Sequence, residues 1–313
     1  MERQDTILIH VGHVMFSPES GTPYHISRAL SRYFQVVYIN PITGYGRWNR
    51  WRRATCHRNT LCEGVRVITP LALGGLRFLP RSMRALPTRL LIRTQFASLW
   101  RQVRGQTVVL LSTLSHLTPE LHALVQPRLT CYHRLDDFGA MSHRHMQTEL
   151  ALERISDLIF VVSPHLIAQH RSRGRDAILL PNDVAADLFA AALSPKTQIP
   201  ADLLKIPEPR IGFIGWLAPK WIDIDLLYEV ASHNPQWQFV LIGMRSREVK
   251  KQLPPNMHWL GPRPYSQLPQ YLKGLDVCLV PFKQNAITMG ASPLKLYEYL
   301  AAGRAVVNTY VPD

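Results

Sequence analysis

The sequence predicts an α/β protein built from parallel β-sheets with helices on both faces. Short, nearly continuous apolar runs alternate along the chain with segments whose apolar residues recur at helical spacing. Strands that are apolar throughout are typical of parallel sheets covered on both sides. The alternation is interrupted once, over residues 190–209, and then resumes, and a length of 313 residues also favours two domains. We therefore predict two Rossmann-like domains.

The first predicted domain covers residues 1–189. Its first helix is predicted at 22–33, because Ile26, Leu30 and Tyr33 recur at helical spacing. The predicted strands of this domain, each a short apolar run, are 6–11, 35–39, 65–69, 107–111, 129–133, 157–162 and 177–180. In folds of this type ligands bind beyond the carboxyl ends of the strands.

Residues 190–209 are predicted to be an interdomain linker, since they are rich in proline and poor in apolar runs. The second predicted domain covers 210–313. Its predicted elements are strands 210–214, 238–242, 258–260, 277–280 and 305–308, and helices 224–231, 268–272 and 293–302. No closing helix follows the last strand, so we interpret this domain as short, either naturally or by truncation.

Positive charge is concentrated in one part of the first domain. The formal net charge is +14, and the stretch 47–104 holds 13 arginines, no lysine and a single acidic residue, Glu63. A localised positive field indicates an anionic partner. Trp48 and Trp51 stand among four arginines in 47–53, a combination that suits a lipid headgroup region or an anionic substrate.

Two other interpretations of this stretch remain open. Residues 89–104 form a predicted helix whose apolar face could pack on the protein's own sheet, and that face consists of Ile92, Phe96, Leu99 and Val103. Nucleic acid is another anionic partner for arginines and aromatic rings, although the sequence has no nucleic-acid-binding motif. We expect an anionic membrane surface as the partner of 47–104, and no nucleic acid.

Composition excludes several classes of protein. With 46% hydrophobic and 19% charged residues the chain is not disordered as a whole. It lacks the roughly 18 consecutive apolar residues of a membrane helix, and its first residues, which include Glu2 and Asp5, do not resemble a signal peptide. Four cysteines without zinc-binding spacing indicate neither a disulfide scaffold nor a metal site. We expect a cytoplasmic protein, either free or peripheral on the inner face of the plasma membrane.

The stretch 292–307 carries the most informative chemistry. Ser292 and Pro293 predict a helix start, with the serine as N-cap and the proline at the first position. A helix start binds anions, and Lys295 in the first turn opposes the helix dipole unless a phosphate lies there. Glu298, one turn further, can accept hydrogen bonds from ribose hydroxyls. The same residues also fit an ordinary capped helix with Lys295 and Glu298 paired on its surface.

Several further motifs contribute, together with this stretch, to a resemblance to a known protein family. They are Gly212-Phe-Ile-Gly215, the segments 237–243 and 276–282, Ser163 and Leu180-Pro-Asn182. Together they resemble the GT-B glycosyltransferases, and most closely the family 4-like (group 1) enzymes of bacterial surface-polysaccharide assembly, those for teichuronic acid included. The resemblance extends from about residue 129 to the end of the sequence, whereas the first 128 residues agree in strand order alone.

This resemblance implies that the second domain binds a nucleotide-sugar donor. The positions that match the family's donor-binding residues are Gly215, Lys220, Ser292, Pro293, Lys295 and Glu298. Glu298 corresponds to the ribose-binding glutamate, and the lysines correspond to diphosphate contacts. Family 4 membership would also imply retention of configuration at the anomeric carbon. The sequence departs from the family at Gly290, where many members carry a second, sugar-contacting glutamate.

In the first domain, Asp136 and Asp137 follow the predicted strand 129–133, and the resemblance includes a similar pair of aspartates. Two carboxylates at a strand end can orient an acceptor hydroxyl or take its proton, so both are candidate catalytic residues. Alternatively, Asp137 caps the next helix. Three weaker candidates, which fit surface positions equally well, are His143, His145 and Glu19.

The sequence thus predicts a glycosyltransferase that moves a sugar from a nucleotide-sugar donor to a polysaccharide acceptor. The basic, tryptophan-bearing side of the first domain leads us to expect a lipid-linked acceptor. Lysines and helix N–H groups would meet the charge of the leaving diphosphate, so we expect no metal and no other cofactor. Two alternatives stay open. One is a GT-B protein that does not transfer sugar, either an epimerase or an inactive member, and the other is a basic nucleic-acid-binding protein.

Overall fold

The computed structural model describes residues 6–41, 43–44, 60–72, 90, 93–97, 99–249 and 252–310. The chain divides into two compact units. Unit 1 comprises Met1–Val161 and Ile167–Leu180, and unit 2 comprises Val162–Leu166 and Pro181–Asp313. No helix among the described residues is both long enough and apolar enough to cross a membrane.

Unit 1 is built on an eight-stranded sheet in the order β10-β9-β8-β7-β1-β2-β5-β4. All its neighbouring strands are parallel except β4 and β5. The strands are β1 (Thr6–Val11), β2 (Gln35–Ile39), β4 (Thr60–Cys62), β5 (Val65–Ile68), β7 (Thr107–Ser112), β8 (Leu129–Arg134), β9 (Leu158–Val161) and β10 (Ile178–Leu179). A separate parallel pair joins β3 (Thr43–Gly44) to β6 (Leu71–Ala72).

Successive side chains of the central strand, β1, point to opposite faces of the sheet and therefore pack in two different cores. Ile7, Ile9 and Val11 pack into a cluster on one face of the sheet, whereas Leu8 packs into a second cluster that contains Tyr38. The helices of this unit are α1 (Thr22–Leu30), α2 (Thr118–Val125), α3 (Phe138–Met141), α4 (His143–Ile155) and most of α5 (Pro164–Ser172), whose first three residues belong to unit 2. Residues 93–97 and 99–103 are also helical.

The helix predicted over 89–104 uses its apolar face within the protein. Phe96, Leu99 and Val103 are buried in the same core as the central strand. Packing on its own sheet is therefore confirmed for the described part of this helix, since the apolar side chains are already covered. Its arginines at 93, 101 and 104 are exposed. The Trp-Arg segment 47–53 lies outside the described residues.

Unit 2 is built on a five-stranded, wholly parallel sheet in the order β13-β12-β11-β14-β15. The strands are β11 (Arg210–Ile214), β12 (Gln238–Ile242), β13 (Met257–Gly261), β14 (Val277–Val280) and β15 (Ala305–Asn308), and the helices are α6 (Ala186–Ala190), α7 (Ala201–Leu204), α8 (Ile224–His233), α9 (Leu268–Lys273) and α10 (Leu294–Ala301). The strand order reverses between β11 and β14, which is where open α/β sheets bind ligands.

The predicted linker 190–209 packs as part of unit 2. Ala192, Leu203 and Ile206 are buried in the same core as strands β11 and β14. The prolines mark turns between short helical segments that cover this core, so their abundance does not indicate an extended connection. The predicted boundary at residue 189 likewise differs from the compact units, because Phe189 is fully buried in the core of unit 2.

Candidate functional site

The carboxyl ends of β11 and β12 approach each other closely in unit 2. Gly215 donates its N–H to the carbonyl of Ile242 at 2.8 Å, and Gly243 donates to the carbonyl of Gly261 at 3.0 Å. Gly243 has a φ of 132°, and a Cβ built on it would collide with the carbonyl oxygen of Gly215. Only glycine satisfies both the backbone angle and the contact. The result is an edge where backbone, rather than side chains, forms the surface.

Lys295 lies against this edge. A Cβ placed on Gly215 would be 3.0 Å from Lys295 Cε and 2.9 Å from Phe213 Cζ. The absence of a side chain at Gly215 thus makes room for the aliphatic part of the lysine. The structure brings together these two residues of the predicted donor site, which are 80 positions apart in the sequence.

The helix that carries Lys295 begins one residue later than predicted. Pro293 is the N-cap of helix α10, with φ −74° and ψ 109°, and it provides no side-chain capping bond. The prediction that Ser292 is the N-cap was wrong. Its hydroxyl instead lies 3.2 Å from the hydroxyl of Tyr297, one turn into the helix. The N-terminal N–H groups of α10 therefore receive no bond from a capping side chain.

The loop before α10 is held by two polar side chains from elsewhere in unit 2. Ser163 donates its hydroxyl to the carbonyl of Gly290 at 3.0 Å. Asn182 donates its amide to the carbonyl of Ser292 at 2.7 Å. Both side chains belong to the motifs that carried the family resemblance, and their contacts give those motifs a structural role. They fix the backbone that leads into the helix start.

A buried tyrosine sets the position of α10 relative to β11. The backbone N–H of Ile214 donates to the hydroxyl of Tyr299 at 2.8 Å, directly before Gly215. Tyr299 is fully buried, and burial raises its pKa well above the usual value, so it stays protonated. This bond connects the last helix to the end of the strand where Gly215 and Lys295 meet.

Glu298 lies one turn behind Lys295 and is 5% exposed. Its carboxylate Oε1 accepts a hydrogen bond of 3.1 Å from the hydroxyl of Tyr265. Burial, with the neighbouring Glu298, raises the pKa of Tyr265, so the phenol remains a donor at neutral pH. The interpretation of Lys295 and Glu298 as an exposed surface pair does not hold, because the carboxylate is buried.

Lys220 occupies an exposed loop that follows β11. The carbonyl of Lys220 accepts a bond of 3.0 Å from the Asn285 amide, and the Asn285 side-chain oxygen in turn accepts from the N–H groups of Ile287 and Thr288. The Lys220 loop is thereby tied to the loop that precedes α10. Because β11 and β14 are parallel, the loop with Lys220 and the loop before α10 both follow the carboxyl ends of neighbouring strands.

In unit 1, Asp137 caps helix α3. Its Oδ1 accepts from the N–H of Ala140 at 3.1 Å and from Nη2 of Arg134 at 3.0 Å, and its Oδ2 accepts from Gln169 at 2.6 Å. Both oxygens are therefore engaged within the protein. The alternative that Asp137 is a helix cap is confirmed.

Arg134 is the centre of a buried network of charges. It is fully buried, and besides Asp137 it contacts the carboxylate of Glu149, which is also fully buried. Arg173 extends the network with a contact of 2.6 Å to Glu153. Burial raises the pKa of Glu149 to about 7, against the opposing effect of the two arginines. Buried charges persist only when they are paired in this way.

The same network contains a possible set of metal ligands. Glu149, Glu153 and His170 place ligand atoms within 4.8 Å of one another, and all three are buried. Burial lowers the pKa of His170 to about 4, so its ring is neutral. The guanidinium groups of Arg134 and Arg173 already contact these carboxylates. We therefore interpret the set as an ion-pair network.

Asp136 differs from its neighbour. It is partly exposed, and no hydrogen bond to its carboxylate occurs among the described residues. Burial and then the charge of Asp137 raise its pKa to about 7, opposed by Arg134. A carboxyl group with a pKa near neutrality is suited to proton transfer. Asp137 is thus engaged by three donors and Asp136 by none among the described residues, and a catalytic role for Asp136 stays a prediction.

Three histidines near the strand ends of unit 1 escaped the sequence analysis. His10 is buried and bonds Ser27, and His13 places both its N–H and its ring Nδ1 2.9 Å from the hydroxyl of Thr113. Burial, and the proximity of His133 and His13, lower the pKa of His10 to about 3. The sequence signal that could have identified two of them is His10-Val-Gly-His13, at the end of strand β1. His143, His145 and Glu19 lie on the surface.

Two parallel α/β units, each with polar side chains at its strand ends, define the class of the molecule, and the chain has the GT-B fold of glycosyltransferases. The sucrose-phosphate synthase of Thermosynechococcus elongatus superposes with a TM-score of 0.68 at 15% identity, over 97% of this chain and 81% of that one. HepE of Anabaena, in complex with UDP and glucose, gives a TM-score of 0.63 at 14% identity, over 97% and 80%.

More specific similarity comes from sequence. Residues 208–313 match the family model for glycosyl transferases group 1. The chain is also 31% identical over 178 residues to the putative teichuronic acid biosynthesis glycosyltransferase TuaH of Bacillus subtilis (strain 168), over 53% of this chain and 43% of that protein. The match thus spans less than half the length of this curated relative. The predicted fold class and the resemblance to group 1 enzymes are confirmed.

Proposed function

We propose that this protein is a glycosyltransferase that takes its sugar from a nucleotide-sugar donor bound in unit 2. The observation that carries the proposal is the arrangement at the start of α10. Lys295 lies against the glycine edge of β11, and the buried carboxylate of Glu298 follows one turn behind it. A cation and free N–H groups suit a diphosphate, and a carboxylate suits ribose hydroxyls. Similarity to TuaH and to UDP-binding GT-B proteins supports this assignment.

In this proposal the donor diphosphate lies at the helix start between residues 292 and 295. Negative charge grows on the diphosphate as the glycosidic bond breaks, and Lys295, Lys220 and the uncapped N–H groups of α10 would stabilise it. These groups supply positive charge without a metal ion, so we propose a reaction that needs no divalent cation. Gly215, Ser292 and Pro293 contribute backbone and shape rather than charge.

The acceptor chemistry is assigned to unit 1. Asp136 would take the proton of the acceptor hydroxyl, since its pKa lies near neutrality, while Asp137 and Arg134 hold the turn that carries it. We propose a glycan acceptor of bacterial surface-polysaccharide assembly, by similarity to TuaH. We further propose that this acceptor is lipid-linked. The basic stretch 47–104 would bind the cytoplasmic face of the membrane, where such an acceptor is located.

Turnover with an acceptor tests the function. The protein is incubated with UDP-, GDP- and ADP-sugars, with and without an extract of lipid-linked glycans, and the free nucleoside diphosphate is measured. Diphosphate release that depends on the acceptor supports transfer. Nucleotide binding without turnover supports a non-transferring GT-B protein, and the absence of both binding and turnover rules the proposal out.

Vesicle flotation tests the membrane part separately. We expect binding to vesicles that contain phosphatidylglycerol and none to phosphatidylcholine vesicles, because arginines are attracted to anionic headgroups. Replacing the four arginines of 47–53 with alanine should abolish this binding. A matched control replaces four exposed arginines of unit 1 that lie outside this stretch, Arg128, Arg144, Arg154 and Arg171. If the wild-type chain does not bind anionic vesicles, the proposal of a peripheral membrane location is wrong.

A further inference from the structure

Tyr265 is the side chain that holds the buried carboxylate of the proposed donor site. Its hydroxyl donates to Glu298 Oε1 at 3.1 Å. Among the residues that the structure describes, no other side chain hydrogen-bonds this carboxylate. The bond engages one of the two carboxylate oxygens, so Oε2 keeps its full capacity to accept from a ligand.

The ring of Tyr265 is fixed by its surroundings. It packs edge-on against Phe189, with the ring centroids 5.4 Å apart, and Phe189 is fully buried. The chain just before it is held as well, since the side chain of Arg263 bonds both Asp202, at 2.6 Å, and the hydroxyl of Tyr271, at 2.6 Å. The phenol is therefore presented to Glu298 from a rigid segment rather than from a mobile loop.

We propose that Tyr265 is a specificity-determining positioning residue, which orients Glu298 so that Oε2 reads the ribose hydroxyls of the nucleotide. The inference rests on the proposed function and deepens it, because it adds the residue that sets how the ribose-binding carboxylate is presented and hence how strongly ribonucleotides are preferred over deoxy forms. Oε2 is an acceptor in a buried position, so a nucleotide without the hydroxyls leaves it without the donors that a ribose supplies. Sites built in this way reject such analogues strongly.

A role in packing alone makes a different prediction. If Tyr265 only filled space between Phe189 and the sheet, its loss would weaken the binding of every nucleotide by the same factor. If it orients Glu298, its loss weakens the binding of ribonucleotides selectively. The ratio of the two affinities therefore separates the roles. Phenylalanine at 265 keeps the ring contact with Phe189 and removes only the hydroxyl.

Calorimetric titration of the full chain measures this ratio. The probes are UDP, ADP and GDP, each with its 2′,3′-dideoxy form, and the diphosphate that binds most tightly is used for the variants. We expect the wild-type chain to prefer the ribonucleotide at least tenfold. In Tyr265→Phe the ribonucleotide should bind roughly three- to tenfold more weakly, with the dideoxy form nearly unchanged, as expected for one hydrogen bond to a charged group.

Tyr310→Phe is the matched control. It also removes a phenol hydroxyl from unit 2, one on an exposed side chain that is 68% accessible, so it should leave both the ratio and the melting temperature unchanged. An unaltered ratio in Tyr265→Phe overturns the inference alone, as does a wild-type chain that binds both sugar forms equally. A wild-type chain that binds none of the three diphosphates overturns the proposed function together with the inference.

Discussion

Buried carboxylates occur in both units, but they contact different kinds of partner group. In unit 1, Glu149 and Asp137 contact the guanidinium of Arg134, and Glu153 contacts that of Arg173. In unit 2, the carboxylate of Glu298 meets the neutral phenol of Tyr265. A carboxylate paired with a buried cation is already neutralised, so it contributes to the architecture. A carboxylate held by a neutral donor retains charge and accepting capacity for a ligand.

Asp136 lies between these two cases. It follows the same strand as the ion-pair network, yet its pKa is raised to about 7 by burial and by Asp137. The same turn thus holds Asp137, which accepts hydrogen bonds from three donors, and Asp136, whose pKa lies near neutrality. The comparison suggests a criterion for the proposed sites: charge pairing, rather than the presence of acidic residues, distinguishes the structural carboxylates from those that we propose to act on a ligand.

The largest expected effect is that of Asp136→Asn on turnover. Loss of a general base should lower the rate by roughly 10²- to 10⁴-fold, while nucleotide affinity stays unchanged because the donor residues belong to unit 2. Nucleoside diphosphate release measures the rate, and calorimetry measures the affinity. The control is Asp176→Asn, an exposed aspartate of the same unit. A variant with normal turnover would refute the role of Asp136.

Arg134→Met should have the next largest effect, and on stability. It leaves Asp137 and Glu149 without their buried cation, which costs about 3–5 kcal/mol of unfolding free energy. Urea denaturation followed by circular dichroism measures the loss. Arg144→Met replaces an exposed arginine on the helix that carries Glu149 and should change stability by no more than about 0.5 kcal/mol. Equal effects for both variants would contradict the distinction drawn between the two units.

Glu298→Ala should change binding more than stability. We expect roughly 10- to 100-fold weaker nucleotide affinity, since hydrogen bonds to a charged group are each worth about 1.5–3 kcal/mol. Removing this carboxylate leaves no buried cation unpaired, so unfolding should change little. Thermal shift with and without UDP reports both quantities. Unchanged nucleotide affinity would show that the ribose is bound elsewhere.

The smallest expected effect is a pH dependence that originates at Asp136. Its folded-state pKa, about 7, exceeds the usual value of 3.8, so its contribution to stability is present below pH 4 and is lost as the pH rises through 7. Turnover should rise over the same upper range as the base ionises. The melting temperature of Asp136→Asn, relative to wild type, should therefore increase from pH 5 to pH 8. Glu149 titrates nearby, so Glu149→Gln serves as the control.

The sequence predicted the parallel strands of both sheets well, because an apolar run in a parallel sheet is a local signal, but it missed the antiparallel edge strand β4. Helices α2, α4, α5, α6 and α7 were also missed, and α10 was found together with Lys295 and Glu298, whose spacing is also local. Residues 190–209, which were predicted as a linker, contribute buried side chains to the core of unit 2, and the sequence did not reveal this for a physical reason. Prolines record where the chain turns, but burial against a core depends on residues far away in the sequence.

The chain by itself determined the α/β class, the resemblance to group 1 enzymes and the residues at the start of the last helix, since each depends on residues adjacent in sequence. Only the tertiary structure decided that Asp137 is a cap, that Arg134 neutralises Glu149, and that Tyr265 meets Glu298. Pairs of this kind join positions 3 to 33 residues apart, and whether a buried charge is neutralised depends on which side chains folding brings beside it.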